Sequence, residues 1–228
     1  MTRFATGRRW TGPLGDGLDG TMMPQPTSRQ AVSPCFTPGT TLATPRGERR
    51  VEDLRVGDKI ITRDNGIQEI RWAGTTWLGA ASLSRAPYLN PILIRAGALG
   101  HGLPERDMRV SPQHRMLVAS DRAVTHFHER EVLVAAKHLI NGRGVRQVAA
   151  NAVHYIHFMF DAHQVILSNG AWTESFQPND YTLGGMGNGQ RNEILDLFPD
   201  VRTVSGLNGY AAARKTLTGQ DAALMDGL

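Results

Sequence analysis

The cysteine at position 35 is the only one in the chain, and it stands in the run Ser33-Pro34-Cys35-Phe36-Thr37-Pro38-Gly39-Thr40. A lone thiol cannot form an internal disulfide, and without nearby partners it makes a poor metal ligand. It is therefore either an inert buried residue or a nucleophile. Because Cys35 begins the strand-rich part of the chain, the target closest to it is its own upstream peptide bond.

Attack of the Cys35 thiolate on the Pro34 carbonyl would convert a peptide bond into a thioester, with the reacting groups held together by the chain itself. The reaction needs activation of the thiol, a donor for the oxyanion and an acid for the departing amide nitrogen. Histidine suits the last task because its pKa lies close to neutrality. The run Val110-Ser111-Pro112-Gln113-His114 offers a hydroxyl and an imidazole on one tight turn, since proline fixes φ there. A strand-ending turn with a surface histidine is the plainer interpretation of the same residues.

The middle of the chain is a series of short apolar runs separated by turn signals, which predicts an all-β domain. Asp64-Asn65-Gly66 and Asn169-Gly170 predict tight hairpin turns. The run from Ala135 to Leu139 predicts a short helix or turn. The predicted strands cover residues 40–44, 59–62, 67–72, 91–94, 107–110, 115–118, 131–134, 154–160 and 164–168.

The two ends of the chain differ from this middle region. The N-terminal end is rich in Gly and Pro with little hydrophobic periodicity, which predicts a mostly disordered leader. Near the other end, residues 192–198 have a helical period that stops at Pro199. Residues 210–217 and 221–225 can form a second amphipathic segment. The predicted division is a leader at 1–33, a β domain at 34–178 and a small helical appendage at 179–228.

Composition limits the classes of partner. The 228 residues carry a net charge of +4, with 20% charged and 40% hydrophobic residues. The basic residues are scattered and aromatic residues are few, so nucleic-acid binding is not expected. No apolar stretch reaches the ~18 residues that a spanning helix needs, so no membrane span is predicted. No apolar region follows Arg8 and Arg9, which leaves the cytoplasm, or export without a cleavable N-terminal signal, as the expected location.

Two histidine pairs raise the question of a metal site. On a strand, His126 and His128 would share a face, and His154 and His157 are also close in sequence. No acidic or cysteine third ligand recurs at a suitable spacing, so surface or hydrogen-bonded histidines are expected instead. No metal and no other cofactor is predicted.

Several blocks of this sequence resemble the Hint superfamily, which comprises hedgehog autoprocessing domains, inteins and bacterial intein-like domains. The likeness spans about residues 33–178 and is greatest to bacterial Hint-type domains. The blocks that carry it are Cys35–Thr40, Val51–Asp58, Ile94–Gly100, Val110–His114, Val132–Leu139 and Phe160–Gly170.

The resemblance implies a β-rich, horseshoe-like Hint fold and an N-to-S acyl shift at the first residue of the domain. Carried over by position, Cys35 is the nucleophile and His114 assists amide cleavage. Ser111 stands where the family usually has Thr, and serine keeps the hydroxyl group of that position. His163 matches a histidine implicated in the C-terminal steps of splicing domains. The implied substrate is the chain's own N-terminal segment, and the acyl acceptor is water or a small nucleophile.

The far end of the domain departs from inteins, which close with His-Asn followed by Cys, Ser or Thr. Here residues 171–176 read Ala-Trp-Thr-Glu-Ser-Phe after Asn169-Gly170, with no terminal His-Asn, so full splicing is not expected. The sequence predicts single-turnover cleavage or transfer at Cys35. A catalytically silent Hint-fold module with a structural or secretion-related role, and a Cys–His hydrolase acting on other molecules, remain alternatives. Pro34 either slows the acyl shift or strains the bond, and both outcomes stay open.

Overall fold

A computed structural model describes residues 33–225, and antiparallel strands form most of its framework. The predicted disordered leader lies outside the described residues except for Ser33, which is buried. The strands are β1 (Thr41–Thr44), β2 (Gly47–Arg50), β3 (Lys59–Ile61), β4 (Ile67–Glu69), β5 (Trp72–Gly79), β6 (Ile92–Ile94), β7 (Met108–Val110), β8 (Arg115–Ala119), β9 (Glu131–Ala135), β10 (Val145–Gln147), β11 (Ala152–Met159), β12 (Val165–Ser168), β13 (Ala171–Glu174) and β14 (Lys215–Thr216). The α-helices are α1 (Ala80–Arg85), α2 (Asp121–Phe127), α3 (Asp180–Gly184), α4 (Asn188–Leu197), α5 (Val204–Gly209) and α6 (Gly219–Ala223).

The strands form one large sheet and three smaller ones. The large sheet has seven strands in the order β14-β9-β8-β13-β12-β1-β2. The others are β10-β6-β7, the pair β11-β5 and the pair β3-β4. Within the large sheet only the β14–β9 pair is parallel. The all-β prediction is confirmed, and its strands follow the turn signals that separate the apolar runs.

The turn between β12 and β13 shows how local sequence sets this framework. Asn169 has φ 45° and Gly170 has φ 79°, and Ser168 pairs with Ala171 across the two-residue loop. Positive φ at both central positions gives the turn whose twist matches antiparallel strands, and Asn-Gly adopts it at little cost. The Asn169 Oδ1 also accepts a hydrogen bond of 2.9 Å from the Thr41 backbone, which ties the turn to β1.

Phe36 joins two of the smaller sheets through the chain segment that carries the thiol. It bridges to Val110 at the end of β7 and to Ile156 in β11, with a reciprocal pair of 2.9 Å backbone hydrogen bonds to Ile156. The Phe36 side chain is only 2% exposed and belongs to the main hydrophobic core. The residue before it, Cys35, is therefore held in the interior by backbone pairing on both sides.

The C-terminal appendage packs on β5 and β11 as a separate hydrophobic cluster. Trp72, Met159 and Phe176 of the β domain contact Leu183 and Ile194 of the appendage there. Residues 192–197 are helical as predicted and lie within α4, and Phe198 is its C-cap. Residues 210–217 do not form an amphipathic helix; Lys215 and Thr216, near the end of this range, instead add β14 to the edge of β9. Hydrogen bonding of these residues to the edge strand β9 therefore prevailed over the helix that their weak hydrophobic period predicts.

Two short helices lie where the sequence analysis assigned no structure or a strand. The first, α1, follows β5 directly. The second, α2, is capped by Ser120, whose side chain accepts from the Ala123 N–H. His126 lies in this helix and His128 is its left-handed C-cap, so the two histidines do not lie on a strand and the shared face considered for a metal site is not formed. A serine cap and the helical propensity of a short exposed segment explain the difference.

Candidate functional site

The candidate site is the buried peptide at Ser33, Pro34 and Cys35. Cys35 is 1% exposed and packs against an apolar cluster that includes Leu78 and Tyr155. Its carbonyl accepts a 3.0 Å hydrogen bond from the Ser111 N–H, which continues the pairing that Phe36 makes with β7. The Pro34–Cys35 peptide is therefore a fixed part of the sheet framework.

Ser111 contacts this peptide on both sides of Pro34. Its hydroxyl oxygen accepts a 3.0 Å hydrogen bond from the Cys35 backbone N–H and donates one of 2.8 Å to the Ser33 carbonyl. The Ser111 carbonyl in turn accepts from the His114 N–H at 3.0 Å, so the predicted tight turn is present at the end of β7. The structure thus brings Ser111 and Cys35 together.

His157 is the residue that sequence reasoning missed. Its Nδ1 lies 3.3 Å from the Cys35 Sγ and 3.1 Å from the Pro34 carbonyl oxygen. The thiol itself donates to the Ser33 carbonyl at 2.7 Å. Successive side chains of a strand point to opposite faces, so His154 and His157, three positions apart, belong to different faces. This alternation could have shown that the two histidines do not form one site. No sequence signal links His157 to a cysteine 122 positions away, because the pairing of β11 with the Phe36 segment creates the contact.

His114 lies beside the site without touching the thiol in any described contact. Its ring packs edge-on against Phe36 at 4.6 Å between centroids. Its Nε2 contacts the Thr173 hydroxyl, which itself donates to the Arg115 carbonyl at 2.9 Å. That hydroxyl must accept from His114, so Nε2 carries the hydrogen and Nδ1 presents a lone pair. This Nδ1 is buried and has no hydrogen-bond partner.

His163 lies apart from the thiol, in a different polar cluster. Its Nδ1 accepts a 2.9 Å hydrogen bond from the Ala213 N–H of the appendage, and its Nε2 lies 3.1 Å from the Ser175 carbonyl. The same nitrogen is 3.3 Å from Glu174, a fully buried carboxylate that also pairs with Arg115. These contacts attach the appendage to His163, and none of them reaches the Pro34–Cys35 peptide.

Burial dominates the electrostatics of the site. It raises the pKa of the Cys35 thiol well above 9.0, opposed by the hydrogen bond with Ser111. Burial also lowers the pKa of His157 to about 4, opposed by its hydrogen bond to the Pro34 carbonyl. It lowers the pKa of His114 to about 4 as well, although the charge of Glu174 works against this. At neutral pH the resting site therefore holds a neutral thiol and neutral imidazoles.

Glu174 is the one buried charge close to these groups. Burial alone would raise the pKa of its carboxyl, but the charge of Arg115 and the contact with His163 outweigh it and hold the pKa below the ordinary 4.5. Its two oxygens accept 2.8 and 2.9 Å hydrogen bonds from Arg115. The carboxylate thus stays ionised and paired with Arg115, and a charge buried in a protein needs such a hydrogen-bonded partner.

Two cavities differ in their relation to the thiol. A small one of about 80 Å³ is lined by Ser33, Cys35 and His157, together with Met186 of the appendage. A larger one of about 450 Å³ lies away from the thiol and contains none of the predicted site residues; its walls include Leu117, Val134, Leu139, Trp172, Ala222 and Met225. The smaller cavity is the candidate site because Cys35 and His157 line it, whereas no predicted site residue lines the larger one.

Comparison with known proteins places this arrangement in a family. The sequence model described as "Hint domain" matches residues 34–180. The chain belongs to the Hint domain family. The Hint-type β fold predicted from the sequence is therefore confirmed, and the match begins at the residue before the thiol. A search of curated protein sequences finds no match to this Hint protein.

Several solved structures are similar to this Hint protein at low sequence identity. A bacterial intein-like domain from Clostridium thermocellum is 14% identical, with a TM-score of 0.42, covering 62% of this chain and 97% of its own. A DnaB intein from Synechocystis sp. PCC 6803 is 8% identical, with a TM-score of 0.40, covering 63% and 99%. The MchDnaB-1 intein (N145AA) is 15% identical, with a TM-score of 0.40, covering 61% and 98%.

The described part of the Hint protein also bears on metals and membranes. Within residues 33–225, no group of three or more His, Cys, Asp or Glu side chains is arranged to hold a metal ion. Over the same residues, no helix has the length and apolar character to cross a membrane.

Proposed function

We propose that the chain is an autoprocessing domain in which Cys35 attacks the Pro34 carbonyl and converts the peptide bond into a thioester, followed by N-terminal cleavage without splicing. Hint and intein-like domains are generally autoprocessing. The observation that carries the proposal is the position of His157 Nδ1, within 3.3 Å of the Cys35 sulfur and 3.1 Å of the Pro34 oxygen. One nitrogen thus contacts both the nucleophile and the atom that becomes the oxyanion.

His157 can serve both steps of the attack in order. The hydrogen bond to the Pro34 oxygen places the resting hydrogen on Nδ1; the attack uses the other tautomer, with the hydrogen on Nε2, whose Nδ1 lone pair accepts the thiol proton as the sulfur–carbon bond forms. The new Nδ1–H then points to the Pro34 oxygen, where negative charge develops, and stabilises it. A base is needed because burial raises the pKa of the Cys35 thiol and keeps it protonated at rest.

Ser111 and His114 support departure of the amide nitrogen. Ser111 Oγ lies 3.0 Å from the Cys35 nitrogen and accepts its hydrogen. The same hydroxyl donates to the Ser33 carbonyl, so it holds the backbone on both sides of Pro34 in place. His114, on the same turn, has a buried Nδ1 lone pair without a partner, so it can pass a proton to the nitrogen only after first accepting one. Breaking the carbon–nitrogen bond adds a proton to the Cys35 nitrogen, and that proton is the one that His157 took from the thiol. The isomerisation therefore balances without a co-reactant.

The contacts at the far end of the domain favour cleavage without splicing. The Asn169 side chain accepts from the Thr41 backbone N–H and hydroxyl, which commits its amide oxygen to holding β1. His163 is bonded to Ala213 and the Ser175 carbonyl instead of a scissile peptide. Both residues thus have structural partners, which supports a role other than asparagine cyclisation.

Treatment with hydroxylamine and measurement of intact mass tests the proposal. We expect release of a fragment ending at Pro34, because hydroxylamine captures a thioester. Cys35→Ala should abolish the cleavage, while Asn169→Ala should retain it. An unchanged mass after days at neutral pH, in a protein shown to be folded by circular dichroism, would refute the proposal and favour the silent Hint-fold module.

A further inference from the structure

Residues 184–189 form a glycine-rich strap, with the sequence Gly-Gly-Met-Gly-Asn-Gly, across the cavity beside the thiol. Gly185, Met186 and Gly187 line that cavity together with Ser33 and Cys35. The strap lies beyond residues 34–180, which match the family model. We infer that the strap, through the Met186 side chain, filters by size the molecules that reach Cys35 and so selects water or a very small nucleophile as acyl acceptor.

Both ends of the strap are attached to the β domain. Before it, Leu183 is buried in the cluster formed with Trp72. After it, the Gln190 side chain donates to the Thr75 carbonyl, and Glu193 accepts a 3.1 Å hydrogen bond from the Trp72 indole N–H. The strap is thus a short span between two fixed points on β5. Gly184 ends α3 and Gly189 lies in the first turn of α4. Gly185, Met186 and Gly187 alone therefore connect the two helices, and the glycines beside Met186 place few steric restrictions on the backbone.

Met186 is the strap residue that sets the size of the opening. Its neighbours on the cavity wall, Gly185 and Gly187, have no side chain. Met186 is partly buried and packs against the cluster of the appendage. Tyr155 and Leu89 also line the cavity, and the Tyr155 hydroxyl donates a 2.7 Å hydrogen bond to the Leu89 carbonyl, which ties these two parts of the wall together. Removing the Met186 side chain should therefore widen the cavity on the strap side.

The volume of the cavity defines the class of acceptor. About 80 Å³ holds a few water molecules, since one water needs roughly 10–15 Å³ of such space. Ser33 and Pro34 are themselves buried, so the acyl segment covers the thiol from its own side. This inference rests on the proposed function. The acceptor adds its oxygen or nitrogen to the Pro34 carbonyl carbon, the sulfur–carbon bond breaks, and the acceptor's proton returns to the Cys35 sulfur.

Alkylation of the thiol tests the filter independently of the acyl shift. Because Cys35 is the only cysteine, intact mass reports its modification alone. We would compare the rates for iodoacetamide and for fluorescein maleimide in the parent, Met186→Ala, Met186→Leu and Leu197→Ala. Leu197 is 56% exposed in the same appendage and is a matched truncation control.

Met186→Ala should raise the ratio of the maleimide rate to the iodoacetamide rate at least about tenfold, the range in which a pocket discriminates by side-chain size. Met186→Leu, which conserves volume, and Leu197→Ala should keep the parental ratio. An equal ratio in the parent and in folded Met186→Ala would overturn the filter, whatever the protein does with its peptide bond.

Cleavage by acceptors of two sizes then distinguishes failure of the filter from failure of the proposed function. The parent should be cleaved by hydroxylamine but at least about tenfold more slowly by dithiothreitol at equal concentration, and Met186→Ala should narrow that difference. Equal cleavage of the parent by both reagents would refute the filter and leave the acyl shift intact. Absence of cleavage in every variant, with thiol alkylation still dependent on Met186, would refute the proposed function and retain the filter.

Discussion

Acidification provides a direct perturbation of two buried histidines of the candidate site, His114 and His157. The pKa of His114 and of His157 falls from 6.5 to about 4 on folding, chiefly because burial disfavours the charged imidazole. As the pH falls below 6.5, the unfolded chain takes up protons that the folded chain does not bind. The stability that depends on keeping these two histidines neutral is therefore fully present above pH 6.5. It is lost progressively as the pH falls to about 4.

The size of the effect follows from these pKa values. Each pH unit below 6.5 lowers the free energy of unfolding by about 1.4 kcal/mol per histidine, as long as the imidazole of the folded protein stays neutral. Between pH 7 and pH 5 this amounts to about 2 kcal/mol for each residue and about 4 kcal/mol for the pair. Against a typical folding free energy of about 5–15 kcal/mol, that is a large loss. Glu174, whose pKa lies below the ordinary 4.5, stays ionised in this range.

Urea denaturation at pH 7 and at pH 5 measures the loss. We expect His157→Gln and His114→Gln each to reduce the difference between the two pH values by about 2 kcal/mol, because each removes one buried imidazole. His126→Gln, which removes an exposed histidine of α2, is the control and should behave as the parent. If His157→Gln and the parent lost the same stability on acidification, the assignment of a neutral, desolvated His157 would be wrong.

Three further substitutions test the site and its supports. Ser111→Ala should slow hydroxylamine cleavage at Cys35 at least about tenfold, since the hydroxyl positions the amide nitrogen, and an unchanged rate would contradict that role. Glu174→Gln should lower the free energy of unfolding in urea by about 3 kcal/mol, because it leaves Arg115 without its buried partner; a loss below about 1 kcal/mol would contradict the pairing. Asn169→Ala should cost about 1–3 kcal/mol in the same assay while keeping the parental cleavage rate, and loss of cleavage in the folded variant would place chemistry at the asparagine.

Local sequence was sufficient for much of the β framework. Asn169-Gly170 predicted a two-residue turn because both residues tolerate positive φ, and the structure has it between β12 and β13. Pro112 predicted the turn between Ser111 and His114. This turn places the Ser111 hydroxyl beside the Pro34–Cys35 peptide. Local sequence failed where tertiary pairing was available, as at Lys215–Thr216, which joins β9 instead of extending a helix. The domain boundary at 178 stays a prediction.

The proposed nucleophile and its proposed target could be named from the chain alone, because Cys35 is the only thiol and adjoins the Pro34–Cys35 peptide bond. Contact between Cys35 and His157 depends on pairing of the Phe36 segment with β11, which no spacing in the sequence records. The neutral state of the thiol and imidazoles likewise arises from burial, a property of the whole fold. Only the packing of the appendage on Trp72 placed Met186 at the cavity that Cys35 also lines, because that position depends on a hydrophobic cluster built from distant parts of the chain.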